Sequence, residues 1–298
     1  MACLIAQRYV SSLQKLIAKN AKDAKAFMKY CSAYSEEKAM PIDDIQITEH
    51  IFRAYFDDLL AAIRSDVLIV GAGPAGLTAA WHLAQDGYRV VVLERSLAVG
   101  GGMWGGGTMF SRIVVHGNAA RDILAEAGAR VTPSGDGYFV ADAVESVAAL
   151  TLKALRAGAK IFNCIAVEDL LVRDGRVEGV VIQWMPVLRA GLHVDPVTFQ
   201  ARAVVDATGH GAELVRLLAK RKISLPTPGG EPQVEGPMWA EEGEKRVVEL
   251  TGEVFPGLFV AGMAAAAVFG APRMGPIFGG MLLSGKEVAA QIREVMGR

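Results

Sequence analysis

Cysteine is scarce: Cys3, Cys31 and Cys164 are the only three in 298 residues. They are too far apart for a zinc signature and odd in number, which excludes a disulfide framework and fits a reducing, cytoplasmic setting. Long apolar runs are also missing. The longest, 258–271, is broken by two glycines and stopped by Pro272, short of the roughly 18 to 20 residues that a membrane span requires. No membrane partner is therefore expected. Neither sign of charge dominates, with 31 basic against 32 acidic side chains, so bulk attraction to nucleic acid is excluded and small molecules are the expected partners. Internal repeats and low-complexity tracts are absent. A composition of 52% hydrophobic and 21% charged residues is that of a globular chain, long enough for one large α/β domain or two small ones. Glycine is what abounds. Most of the excess among its 33 residues falls near 71–76, 100–107 and 270–285, where backbone can approach a ligand closely.

Residues 1–39 read differently from the rest. Up to Cys31 they hold six basic side chains against one acid, Asp23, with apolar residues at helical spacing, the pattern of a basic amphipathic helix. A transit peptide, a surface or membrane-associating helix, and an extension preceding a start at Met40 all fit, although sparse serine and arginine weigh against the first. A peripheral extension followed by a single dinucleotide-binding domain over 40–298 is the expected organisation. Residues 46–64 carry Ile47, Ile51, Phe52, Tyr55, Phe56, Leu59, Leu60 and Ile63 on one helical face, so this helix is expected to pack on the core.

From Asp66 the pattern becomes that of a Rossmann-like fold with a parallel central sheet. A strand over 67–70, a turn Gly71-Ala-Gly73-Pro-Ala-Gly76, a helix over 75–85 and a strand over 89–93 ending at Glu94 form one βαβ unit. The first glycine makes the turn, the second lets a pyrophosphate approach, and the third lets the helix pack on the sheet with its N-terminus toward the phosphates. Glu94 is placed to accept both ribose hydroxyls of an adenosine, or is an exposed charge after a strand. Arg95 either touches the same nucleotide or faces solvent. Further strands are expected over 160–163, 166–173, 176–184, 203–206 and 258–261, the second and third joined at Asp174-Gly175 as a hairpin of a small antiparallel meander. A closing helix is expected over 281–295.

Two more strings stand out. Gly100-Gly-Gly102-Met-Trp-Gly-Gly-Gly-Thr108 offers free amides to an anion or serves as a lid. Pro272-Arg-Met-Gly-Pro-Ile-Phe-Gly-Gly-Met-Leu-Leu-Ser-Gly285 describes a rigid anion pocket with Arg273 suited to a carboxylate, or an ordinary turn with a surface arginine. Many flavoenzymes of this scaffold end a late strand in Ala-Gly-Asp. Here the run is Ala261-Gly-Met263, and a thioether accepts hydroxyl hydrogen bonds weakly, which argues against FAD. His193, Asp195 and His210 form a two-histidine, one-carboxylate inventory of the kind that holds non-haem Fe(II). The alternative is that His210 caps a helix or satisfies a core polar group while Asp195 starts a turn with Pro196.

The strings 71–76, Glu94-Arg95, 100–107, His193-Val-Asp195-Pro196, Ala207-Thr-Gly-His210 and 272–285 occur in this order and together resemble the thiamine thiazole synthase family over residues 45–298. The resemblance implies an FAD/NAD-binding type of Rossmann fold. It also implies a transferase that makes the adenylated carboxythiazole precursor of thiamine from NAD, glycine and sulfide with Fe(II), NAD being a substrate. Family contacts to the nucleotide carry over onto Gly71, Gly73, Ala75, Gly76, Glu94, Arg95, Gly102, Val167, His193, Asp195 and Met263. Arg273 takes the glycine carboxylate, and Asp195 and His210 hold the iron. The acid is supplied by a neighbouring subunit of a homo-oligomer, an octamer by the same resemblance. His193 occupies the position where the eukaryotic form has a sulfur-donating cysteine, so the chain resembles the archaeal and bacterial, sulfide-dependent, multiple-turnover form. His193 then acts as acid or base or touches the iron. Gly211 and Ala212 follow His210 where relatives often have an acid, which bears on the surroundings of the site. Other readings of the same scaffold are a flavin- or nicotinamide-dependent oxidoreductase, a nucleotide-binding sensor, and a ribose-phosphate isomerase.

Overall fold

The computed structural model describes Lys25 and residues 41–297. Apart from Lys25, the expected basic helix lies outside the described residues. The chain divides into two compact units, 1–55 and 56–298, and helix α1 (Asp44–Ala62) runs from the first into the second. Among the described residues no helix is long and apolar enough to cross a membrane.

The second unit is built on strand β1 (Arg64–Val70). Its run Val67-Leu-Ile69 is fully buried because both faces of a parallel sheet are covered, so the strand reads as continuously apolar. A glycine turn leads to α2 (Pro74–Gln85), then to β2 (Val90–Leu93), which pairs parallel to β1. The segment that follows contains β3 (Arg112–His116), α3 (Asn118–Ala127), β4 (Val131–Pro133), β5 (Tyr138–Asp142) and α4 (Ala143–Ala157). Strand β6 (Lys160–Phe162) returns to the edge of the main sheet beside β2.

Next come β7 (Ile165–Arg173), β8 (Arg176–Trp184), the short helix α5 (Met185–Arg189) and β9 (Val197–Asp206). Asp174 and Gly175 both have positive φ, 48° and 72°, the conformation a two-residue hairpin turn demands. Helices α6 (Glu213–Lys220) and α7 (Ala240–Glu249), strands β10 (Gly252–Phe255) and β11 (Leu258–Val260), and helices α8 (Met263–Phe269) and α9 (Gly279–Met296) complete the chain. The main sheet runs β10-β11-β9-β1-β2-β6, and β3-β5-β4 form a separate antiparallel sheet.

Alternation along the strands splits the core in two. Val67, Ile69, Val90 and Val92 point into a cluster with α2, α3, α4 and α9. Leu68, Val70, Val91 and Leu93 point into another with β7, β8, α6 and α8. Helices α2 and α9 meet at Gly285, where a Cβ would lie 2.3 Å from the Ala75 carbonyl oxygen.

Three features depart from expectation. Within the second unit, the end of α1 packs on the core only in part: Leu59 and Ala62 join the second cluster, whereas Phe56 and Leu60 are 51% and 66% accessible. Strand β9 is longer than 203–206 because its first half pairs antiparallel with β8 and its second half parallel with β1 and β11. The meander therefore belongs to the main sheet. The small sheet of 112–142 was not anticipated, since its strands are short and half-exposed and carry little periodic signal.

Candidate active site

The C-terminal ends of β1, β2, β9 and β11 open onto one cavity of about 650 Å³, a volume typical of small-molecule sites and in the crevice where such sheets bind ligands. The glycine turn forms its floor. Gly71 has φ +102°, and a Cβ there would lie 2.4 Å from the Ala207 carbonyl oxygen; one on Gly76 would lie 2.0 Å from the Gly71 carbonyl oxygen. Nothing lies within 4 Å of the corresponding point on Gly73, so the open side of the turn is at the N-cap of α2. Pro74 occupies the first turn of that helix, where its missing N–H is not needed.

Glu94 is buried at the cavity wall. One oxygen accepts the Ala72 N–H at 2.9 Å and the other the Ser96 N–H at 2.7 Å. The carboxylate therefore pins the glycine turn to the end of β2, and spare lone pairs remain for a ligand. Beside it Arg95 is exposed and lies 2.5 Å from Glu213. The loop after β2 is a wall of the cavity: Gly100 N–H donates to the Ala72 carbonyl at 2.7 Å, Met103 is buried in the core, and Gly101, Gly102, Gly107 and Thr108 line the space. Gly106 is held within it, for a Cβ would lie 2.1 Å from the Arg112 carbonyl oxygen. Ala75, Val167 and Met263 line the cavity as well.

His210 and Arg273 are both exposed and both line the cavity. His210 sits in a 3-10 turn, Gly209–Gly211, directly after β9. The turn is anchored by Asp206, which is fully buried and accepts hydrogen bonds from the Thr208 hydroxyl (2.6 Å) and from the Thr208, Leu214 and Val215 N–H groups. Burial pushes the Asp206 carboxyl upward, and these four donors hold it back. His210 Nδ1 lies 2.8 and 2.9 Å from the two oxygens of Glu235, and Arg273 Nε lies 3.8 Å from the same carboxylate.

His193 and Asp195 are placed elsewhere. They lie in an exposed irregular segment between α5 and β9 and do not line the cavity. Among the described residues of a single chain, no three His, Cys, Asp or Glu side chains converge as a metal site. Sequence reasoning passed over Glu213 and Glu235. Glu213 opens a helix and gives no other sign, whereas Glu235 lies in an irregular stretch 25 positions from His210, with no sequence signal joining the two.

A model of the Thi4 family matches residues 48–278. The thiamine thiazole synthase of Thermococcus kodakarensis is 52% identical over 255 residues, 86% of this chain and 99% of its own length. That of Thermotoga maritima is 49% identical over 255 residues, with the same shares covered. The crystal structure of Thermovibrio ammonificans THI4 has a TM-score of 0.84 at 44% identity and covers 87% of this chain and all of its own. Mycobacterium smegmatis Sdh1, with a TM-score of 0.56 at 15% identity over 78% of this chain and 69% of its own, shares the fold alone. With relatives this similar over nearly their whole length, and a family model that spans the cavity, the chain belongs to the Thi4, or thiamine thiazole synthase, family.

Proposed function

We propose that this chain synthesises the thiazole moiety of thiamine, as an adenylated carboxythiazole, from NAD, glycine and sulfide, in an Fe(II)-dependent reaction with many turnovers. One observation carries the reading. A single cavity is lined by a dinucleotide-type glycine turn and Glu94 together with an arginine, Arg273, and an imidazole, His210. The α2 N-terminus suits the pyrophosphate, Glu94 the adenosine ribose, and the guanidinium fork of Arg273 the carboxylate of glycine. After nicotinamide leaves and the ribose opens and isomerises to a ketone, a glycine amine held beside that ketone carbon can condense with it to an imine with loss of water.

The residues present fit a metal. His210 has Nδ1 against Glu235 and no hydrogen bond to Nε2 among the described residues, so with the proton on Nδ1 the Nε2 lone pair would be free for a metal. Asp195 is absent from its own chain's cavity yet sits on an exposed segment beside Leu192, Val194 and Val197, which are 60%, 51% and 42% accessible. Exposed apolar side chains of this kind favour association, so the second ligand comes from a neighbouring copy in a homo-oligomer. Bound Fe(II) would supply a Lewis acid and a site for sulfide at the His210 end. His193 travels on the same segment and moves a proton there as acid or base.

The test is an anaerobic incubation of protein with NAD, glycine, Fe(II) and sulfide, with the small molecules identified by mass spectrometry. Adenylated thiazole should exceed protein in moles. No more than one product per chain, with sulfur lost from Cys164, would overturn the multiple-turnover reading. A yellow preparation with flavin absorbance would favour an oxidoreductase instead.

A further inference from the structure

Glu235 lies against His210 and near Arg273, two side chains that line the cavity. Its side chain is only 12% accessible, against 57% for the His210 ring that it holds, so the acid is the fixed member of the pair. The backbone on either side of it is anchored: Gln233 N–H donates to the Val268 carbonyl at 3.0 Å, Gly236 N–H to the Ala271 carbonyl at 3.0 Å, and Gly236 bridges to Pro272. A carboxylate so little hydrated needs partners. Those within reach are His210 Nδ1 and, at 3.8 Å, Arg273 Nε.

The two nitrogens of an imidazole lie on opposite sides of the ring, and the one that donates a hydrogen bond decides which one keeps its lone pair. We propose that Glu235 is a positioning residue: it accepts the Nδ1–H of His210, fixes that tautomer and the ring orientation, and thereby makes Nε2 the metal-binding nitrogen. This rests on the reading of His210 as a ligand in the proposed function, and extends it to a residue that does not touch the metal. Carboxylates behind ligating histidines act in this way, and losing one lowers metal affinity about 10- to 100-fold.

The experiment uses the full-length protein with Co(II) as a spectroscopic probe, titrated anaerobically and read by d–d absorption, with NAD binding measured in parallel. Glu235→Ala should weaken Co(II) binding about 10- to 100-fold, with NAD affinity unchanged. Glu235→Gln should stay within about threefold of wild type, because its amide oxygen still accepts the Nδ1–H. A long-range proton–nitrogen NMR spectrum of the metal-free wild type, which needs no variant to fold, should give His210 protonated at Nδ1 and bare at Nε2. Co(II) binding in Glu235→Ala equal to wild type, a Gln variant as weak as the Ala variant, or an Nε2–H tautomer would each overturn the positioning role. Undiminished Co(II) binding in His210→Ala would remove His210 as a ligand, a failure of the underlying reading that is distinct from failure of Glu235 alone.

Discussion

Glu94 performs a structural task with both of its oxygens, and the proposed function gives the same oxygens a binding task. It receives the Ala72 and Ser96 N–H groups and so ties the glycine turn to the end of β2. Glu94→Ala should weaken NAD binding by about 1.5 to 3 kcal/mol, the scale for losing a charged hydrogen-bond partner, or roughly 10- to 150-fold in Kd. It should also lower the melting temperature, since two donors lose their acceptor. Calorimetric titration with an unchanged Kd would mean that the acid serves the turn and not the ribose. His193 offers a second test at this scale. Imidazole has no sulfur to donate, so His193→Cys should produce, without added sulfide, a slow activity that stops after one turnover. Intact-protein mass spectrometry should then record loss of the elements of hydrogen sulfide from that cysteine, and an unchanged mass after product formation would reject the idea.

Among the elements, α9 meets α2 with no room for a side chain at the crossing. Gly285 lets the helices meet backbone to backbone, and an added methyl would sit 2.3 Å from the Ala75 carbonyl oxygen and 2.9 Å from the Thr78 Cβ. Gly285→Ala should therefore destabilise the fold by about 1 to 3 kcal/mol, the usual range for overpacking. Because Ala75 lines the cavity, NAD affinity should fall with it. A melting temperature equal to wild type would show that the helices separate freely.

The first turn of the same helix has a pH-dependent tie. Glu244 on α7 accepts the Gly280 N–H at 2.7 Å. Burial pushes its carboxyl above the ordinary value of 4.5, opposed by that hydrogen bond and by the charge of His116. A carboxyl that keeps its proton more readily in the folded state adds stability below the unfolded value, and the contribution is lost as pH rises through the folded one. Glu244→Gln keeps the acceptor and removes the charge. Its melting temperature relative to wild type should become more favourable from about pH 4.5 toward neutrality. Thermal melts across that range decide it, and a constant difference would mean that Glu244 carries its charge without penalty.

At the scale of the whole molecule, the exposed segment bearing His193 and Asp195 is the open question that the single chain poses. If Asp195 completes the cavity of a second copy, Asp195→Ala and His210→Ala should each abolish synthesis while keeping the fold, yet the co-expressed pair should regain activity. Random mixing leaves about one site in four with both ligands intact when each site joins two chains. Complete inactivity of mixed oligomers, verified by mass spectrometry to contain both variants, would place both ligands on one chain. Deleting residues 1–39 should leave NAD binding and thiazole formation near full strength, and a well-folded truncated protein without activity would show that the segment takes part.

Local physics made part of this protein readable from its residues alone. A strand, a glycine turn, a helix and an acid after the next strand lie within thirty residues of one another, so 67–94 declares its geometry through chain stiffness and the room that each glycine must leave. The hairpin at Asp174-Gly175 was legible for the same reason. Tertiary structure decided the rest, where partners are distant or periodicity is weak. It set the double pairing of β9 and the small sheet of 112–142, because these depend on which strand edges other elements leave open. It brought Glu235 onto His210 across 25 positions and left Asp195 outside its own chain's cavity. Both outcomes follow from packing and backbone anchoring far along the chain, on which the residues adjacent in sequence have no bearing.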